Sequence, residues 1–280
     1  MAQSPVMSLL QHLEELRRRL LRSGLAFVVA LMLCFYFAYE PMKYALVAPL
    51  EALNPETTNV LAKYNPLIRR LRPYLTEGRK TEPVRLYATT IMEKFIVQFN
   101  VSMLGGLVLS APFLFYQAWA FVGAGLLKRE KRVFLRYLPL SLGLFLVGML
   151  FAYFVALPIA VIYLLSLAPD IGLMLGFGKY VKTVVWILAS FGLVFQLPLV
   201  MMALARLGFV AGRTFAHYRR HAIVLIFILA ALLAPSPEPF SQCLLAIPMV
   251  GLYELGIFLS RLAERRSAET ASDVRANKEA

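Results

Sequence analysis

Tyr137–Pro169 reads YLPLSLGLFLVGMLFAYFVALPIAVIYLLSLAP, a run without one charged side chain. The hydrocarbon core of a bilayer asks for roughly 20 apolar residues of helix at about 1.5 Å each, so this run crosses a membrane with length to spare. Five more stretches share its character: Ser23–Tyr39, Phe95–Leu127, Thr183–Ala205, Ala222–Pro237 and Pro239–Ser260, the last interrupted only by Glu254. The pattern predicts an all-α membrane protein of six transmembrane helices in one domain over residues 1–262. A long loop spans about 40–90, and the polar segment 263–280 is expected to be a disordered tail. Phe95–Leu127 and Tyr137–Pro169 exceed one straight crossing, so tilt is expected, with Pro112 and Pro158 as kink points. The fifth and sixth stretches share the turn Ala234–Pro239 and are expected to be short, which would thin the bilayer locally or leave the helices short of its far side.

Composition agrees. Apolar residues make up 60% of the 280 and charged residues 16%, with a mean hydropathy of +0.68; a soluble domain carries roughly 45–50% and about 25%. The net charge of +13 comes from basic residues set between the apolar runs, which fits anionic lipid headgroups and not nucleic acid. Cys34 and Cys243 lie inside apolar runs with no paired-cysteine pattern and read as small buried side chains. Arg17, Arg18, Arg19 and Arg22 precede Ser23–Tyr39 as in a secretion signal, but no small-x-small cleavage site follows, so an uncleaved first helix is expected.

Orientation follows from the basic residues. With both termini cytoplasmic, the inside segments hold 18 of the 29 lysines and arginines, clustered at 17–22, 128–136, 206–220 and 261–278. The first outside loop, Glu40–Thr90, carries Arg69, Arg70, Arg72, Arg79, Lys80 and Arg85, but long loops translocate largely regardless of charge. It is too long for a simple connector and is expected to form a small helical cap.

Leu9, Leu13, Leu16 and Leu20 recur at helical spacing ahead of the first span. Glu14 with Arg18 and Glu15 with Arg19 are i,i+4 pairs; read plainly, they brace the helix by a few tenths of a kcal/mol each. In Leu127-Lys-Arg-Glu130-Lys-Arg-Val, one carboxylate sits amid five basic residues, most simply a solvated charge balance. Two carboxylates on one cytoplasmic surface, Glu15 and Glu130, also suit a guanidinium ligand, whose planar fork lysine does not reproduce. Within the spans, Glu254 and Gln196 should face other helices or a wet cavity, because a charged side chain at the bilayer centre costs about 2.5–3.5 kcal/mol on insertion scales. Gln196 serves equally as interhelical glue. Tyr116, Trp119, Phe121 and Tyr253 read as interface or packing aromatics. No nucleophile motif, zinc motif or phosphate loop occurs, so the sequence points away from an enzyme and calls for no cofactor and no metal. His217 and His221, four apart, sit beside Arg219 and Arg220, which disfavour a bound cation.

Five ordered blocks carry a resemblance. They are His12-Leu-Glu-Glu-Leu-Arg-Arg-Arg19, Leu109–Phe113 with Tyr116–Phe121, Leu127–Arg132, Phe195-Gln-Leu-Pro198, and Ser241–Pro248 followed by Tyr253-Glu-Leu-Gly256. From residue 8 to about 262 the chain resembles the TatC family. The resemblance implies a six-helix, glove-shaped receptor in the inner membrane that binds twin-arginine signal peptides on its cytoplasmic face. It also implies an oligomeric complex with single-span TatA- and TatB-type partners and transport driven by the proton-motive force. Glu15 and Glu130 then match the acidic residues of the signal site, with Arg17, Gln117 and Phe121 around them. Pro49 matches the proline of the first outside loop, and Gln196 and Glu254 match polar positions of the fourth and last spans tied to partner contact or transport. The chain departs from the family at Gly123-Ala124, where Ala-Pro is usual, at Pro235-Ser-Pro-Glu238, which sets Glu238 in the place of an aspartate, and in a longer first outside loop. A small-solute secondary transporter is the competing reading, motivated by Glu254 and Gln196; affinity for a twin-arginine over a twin-lysine peptide separates the two.

Overall fold

The structure, a computed structural model, describes residues 9–51, 85–87, 90–124, 137–167, 174–234 and 239–279. Helix α1 (Leu9–Leu33) passes through a π-helical turn (Cys34–Ala38) into α2 (Tyr39–Glu51) without a break. A short strand β1 (Arg85–Tyr87) precedes α3 (Ile91–Ala124). Helix α4 (Leu138–Phe151) continues through a second π turn (Ala152–Ala156) into α5 (Leu157–Leu167). Strand β2 (Met174–Gly176) leads into α6 (Phe177–Val194), and α7 (Leu197–Arg206), α8 (Gly212–His217), α9 (Arg219–Leu233) and α10 (Pro239–Glu279) complete the described chain.

Among the described residues, five helical segments are long and apolar enough to cross a membrane: Leu13–Ala48, Met92–Phe121, Leu138–Val161, Phe177–Arg206 and Pro239–Glu264. Helix α9 is as apolar, but its 15 residues rise only about 22 Å. The expected shortness therefore holds for α9 and fails for its neighbour, whose apolar segment runs 26 residues. The first helix also outruns its uncharged stretch. Glu40 and Lys43 end that stretch, yet they pair with each other at 2.6 Å, one turn apart on a helix that continues to Glu51. The backbone of 263–279 continues the last helix, whose Ala, Glu, Arg and Lys there are strong helix formers.

Proline shapes these helices selectively. Each π turn lies just ahead of a proline, Pro41 after Cys34–Ala38 and Pro158 after Ala152–Ala156. A proline removes an N–H and crowds the carbonyl four residues back, and widening one turn relieves both. The Gln98 side chain of α3 donates to the Phe35 carbonyl within the first π turn at 3.1 Å. At Pro112, the other expected kink, α3 stays α-helical.

Helix α1 lies along α3, α3 along α6, α4 along α6, and α7 along α10. Where α1 meets α3 the fit is tight at Gly106, whose absent Cβ would stand 2.8 Å from the Leu31 Cα. The polarity of α1 is turned over relative to a soluble helix. Leu13, Leu16 and Leu20 are exposed on the molecule's outer side, as lipid-facing residues must be, while Glu15 and Arg19 turn toward α3.

At the end of the bundle away from Glu15, β1 and β2 pair in parallel, with Arg85 opposite Met174 and Tyr87 opposite Gly176. This two-stranded clip was not foreseen by a reading that admitted only helices. It is fastened by Glu93, 7% exposed, whose carboxylate accepts from the Gly178 and Thr90 backbone N–H groups at the positive end of α6. Glu93→Ala should lower stability by about 1.5–3 kcal/mol, the range for hydrogen bonds to a charged group. The thermal midpoint in detergent checks this, and Glu93→Gln, which retains an acceptor, should lose less.

Candidate functional site

Glu15 and Arg19 sit one helical turn apart in the second and third turns of α1. The Arg19 Nε and Nη2 both donate to Glu15 Oε1, at 3.0 and 2.5 Å, and Nη1 donates to the Gln117 side-chain oxygen on α3 at 3.1 Å. Both charged side chains are largely sheltered, 22% exposed for Glu15 and 17% for Arg19, and Gln117 is buried. The brace that the i,i+4 spacing predicts is thus present, and it does more than brace. A guanidinium is held across two helices by a carboxylate and an amide oxygen. Among the described residues, Glu15 Oε2 accepts no hydrogen bond. Glu14 and Arg18, by contrast, stand 3.6 Å apart and well exposed, a pair that contributes about 0–1 kcal/mol.

Phe121 follows Gln117 by one turn of α3, so the two share a face; Phe121 is half-buried. Arg17 is exposed and, two residues from Glu15, lies on another face of α1. Glu130 and Glu238 fall outside the described residues, and of Pro49 only the backbone, in the last turn of α2, is described.

Below this notch a second polar chain crosses the bundle. The Trp119 indole N–H donates to Ser141 Oγ at 2.6 Å, and that hydroxyl donates to the Tyr137 carbonyl at 3.0 Å. The Gln196 amide donates to the Ser141 carbonyl at 3.0 Å. Gln196 sits at the break between α6 and α7 that precedes Pro198, and its bond to α4 is the interhelical glue offered as one of its two readings. Arg206 bonds to the Tyr137 hydroxyl and stacks 5.6 Å from its ring centroid. Trp119, which the sequence marks only as an interface or packing aromatic, links the notch helix α3 to α4. The clue was its indole N–H, which needs a partner wherever the ring is buried.

Glu254 meets another helix, as a charge within an apolar span should, but at the surface: its side chain is 44% exposed and paired with Arg219 of α9 at 2.8 Å. Arg219 opens α9, so it reaches Glu254 from a helix end, and the pairing removes the need for interior shelter. The next residue, Tyr253, is buried and donates to the Phe215 carbonyl at 2.7 Å. Cys34 is buried as expected, but Cys243 is exposed on α10. His217 and His221 flank Tyr218 with their rings against it. Among the described residues no group of three His, Cys, Asp or Glu side chains is placed to hold a metal ion.

Long apolar helices, a polar notch at one end and a charged pair on the side define a polytopic helical membrane protein with a guanidinium-compatible site. The family described as Sec-independent protein translocase protein (TatC) matches residues 11–248. TatCy of Bacillus subtilis (strain 168) is 32% identical over 268 residues, covering 95% of this chain and 93% of that protein. TatC of Aquifex aeolicus (strain VF5) is 33% identical over 266 residues, covering 94% and 98%. A crystal structure of the twin-arginine translocase receptor TatC superposes with a TM-score of 0.73 at 31% identity, over 90% of this chain and 99% of that one. The chain belongs to the TatC family: it is a multi-pass membrane subunit of the Sec-independent protein translocase.

Proposed function

We propose that this subunit is the receptor for twin-arginine signal peptides, reading the paired guanidinium groups with Glu15 and Glu130 on its cytoplasmic face. The observation that carries the reading is the Arg19 guanidinium lodged between Glu15 and Gln117. That notch already accepts the chemical group the signal would present, and it is sheltered enough for charge-assisted hydrogen bonds to exceed those of a surface pair. Gln117 supplies a neutral second acceptor, Phe121 an apolar surface for the residues that follow the arginines, and Arg17 a charge at the rim.

In this reading the chain crosses the inner membrane six times with both termini in the cytoplasm, α9 providing the shortest crossing. The α2 helix and the β1–β2 clip form part of an extracytoplasmic cap. Single-span TatA- and TatB-type subunits complete an oligomeric complex, and the proton-motive force supplies the energy. Gln196, Glu254, Glu238 and Pro49 belong to partner contact or transport. The half-exposed Glu254–Arg219 pair supports the first of these, since a charged pair on a lateral surface is better covered by a partner helix than by lipid.

The test is equilibrium binding of the purified chain to a signal peptide and to its twin-lysine form. Lysine keeps the charge but loses the fork, so affinity should fall about tenfold, the value of one charge-assisted hydrogen bond. Equal affinity for the two peptides sinks the proposal.

A further inference from the structure

In an α-helix the carbonyl of residue 45 accepts from the N–H of residue 49. Residue 49 is proline and has no N–H, so the Ala45 carbonyl loses its helical partner while α2 runs on to Glu51. The Tyr153 hydroxyl donates to that same oxygen at 2.8 Å. One residue further along, the Tyr180 hydroxyl donates to the Leu46 carbonyl at 3.2 Å. Tyr153 lies in the π turn that Pro158 imposes, and Tyr180 lies in the first turn of α6. We infer that Pro49 acts by baring a main-chain acceptor and that Tyr153 is the positioning residue that captures it, fixing the end of α2 in one register on the neighbouring helices.

Two prolines thus share one contact. Pro158 opens the turn that carries the donor, and Pro49 removes the competitor for the acceptor. A proline that merely ended the helix would give no reason for a buried-side tyrosine to meet this one carbonyl of α2. Tyr180 steadies the same turn from α6, and Leu46, Val47 and Ala48 bury the face of α2 between them. The contact lies at the end of the bundle opposite Glu15, so its consequence for transport, which rests on the translocase reading, falls on a step after signal binding.

Because both residues act on one bond, their substitutions must not add. Tyr153→Phe removes only the donor. Pro49→Ala supplies an N–H that takes Ala45 back into the helix, after which the Tyr153 hydroxyl has nothing to hold. The experiment uses the full chain in nanodiscs, with spin labels attached through bioorthogonal amino acids at Tyr44 on α2 and Lys179 on α6, both exposed, leaving the cysteines untouched. The native chain should give one narrow distance. Tyr153→Phe should raise the share of longer distances roughly fivefold, the ratio set by a typical net hydrogen bond, and in the Pro49→Ala background it should change nothing further. Identical distributions for the native chain and Tyr153→Phe, or additive broadening in the double variant, overturn the inference. In a transport assay Tyr153→Phe should slow export several-fold with signal-peptide affinity unchanged; a matching loss of affinity would overturn it as well. Should the native chain export no twin-arginine cargo, the translocase reading fails, while the distance measurement still decides this one.

Discussion

Glu15→Gln should weaken binding of a twin-arginine signal peptide by about 10- to 100-fold, and Arg19→Gln should leave it equal or tighter. The first number follows from the chemistry of the notch. Hydrogen bonds to a charged group contribute about 1.5–3 kcal/mol, and each 1.4 kcal/mol is about tenfold in affinity. Glutamine preserves shape and one acceptor oxygen but removes the charge that a guanidinium needs. The opposite response at Arg19 is what separates a site from a brace. In the free protein Arg19 occupies Glu15 Oε1 through two donors, so an incoming arginine must displace it or take the second oxygen. Removing Arg19 removes the competitor. If the pair served only to hold α1 together, both substitutions would break it equally and both would weaken binding by the same factor. Titration of labelled peptide against each purified variant reads the difference, and the elution profile of each variant shows whether the chain is still folded.

Much of this architecture was legible in the residue order, for a specific reason. A bilayer accepts no unpaired backbone and few charges, so an uncharged run such as Tyr137–Pro169 has one outcome, and α4 and α5 fall inside it. What the pattern left out is what apolarity does not encode. Glu40 and Lys43 look like the end of a span, yet they pair on a helix that continues to Glu51. Glu93 looks like one more loop charge, yet it is buried against the first turn of α6 because β1 and β2 draw two distant junctions together. At the site, the spacing of Glu15 and Arg19 was sufficient to predict their contact. That Gln117 completes it from 98 residues away depends on how α1 lies on α3, which no local pattern records. Glu254 does meet a neighbouring helix, but through an ion pair with Arg219 at the surface, and that required knowing that α9 begins beside it on α10.

The contact of α1 with α3 is also where a single methyl group should do most harm. At Gly106 an added Cβ would stand 2.8 and 2.9 Å from the Leu31 Cα and N. Those are backbone atoms and have no rotamer to turn aside, so the two helices must separate. Gly106→Ala should cost about 1–3 kcal/mol, the usual cost of overpacking, and Gly106→Leu should leave little folded protein. Its neighbour makes the comparison sharp. At Gly105 the nearest atom is the Met42 sulfur at 2.6 Å, the flexible part of a side chain that repacks readily, so Gly105→Ala should be milder despite the shorter distance. Gly24, Gly143 and Gly251 have nothing within 4 Å of the added atom; alanine there should be neutral or should stabilise the helix by about 0.5–1 kcal/mol. Thermal midpoints of the five alanine variants in one detergent test the order. A Gly106→Ala midpoint equal to that of Gly24→Ala would mean that α1 is not held against α3. The same variant ties packing to function, since α1 carries Glu15 and Arg19 while α3 carries Gln117. Pushing the helices apart by a few tenths of an ångström carries Gln117 away from Glu15, so the carboxylate and the amide oxygen no longer meet one guanidinium together, as they now meet that of Arg19. Gly106→Ala should therefore lose signal-peptide affinity along with stability, whereas Gly148→Ala, which clashes with the Phe191 carbonyl at 2.7 Å between α4 and α6, should lose stability and keep the affinity of the protein that remains folded.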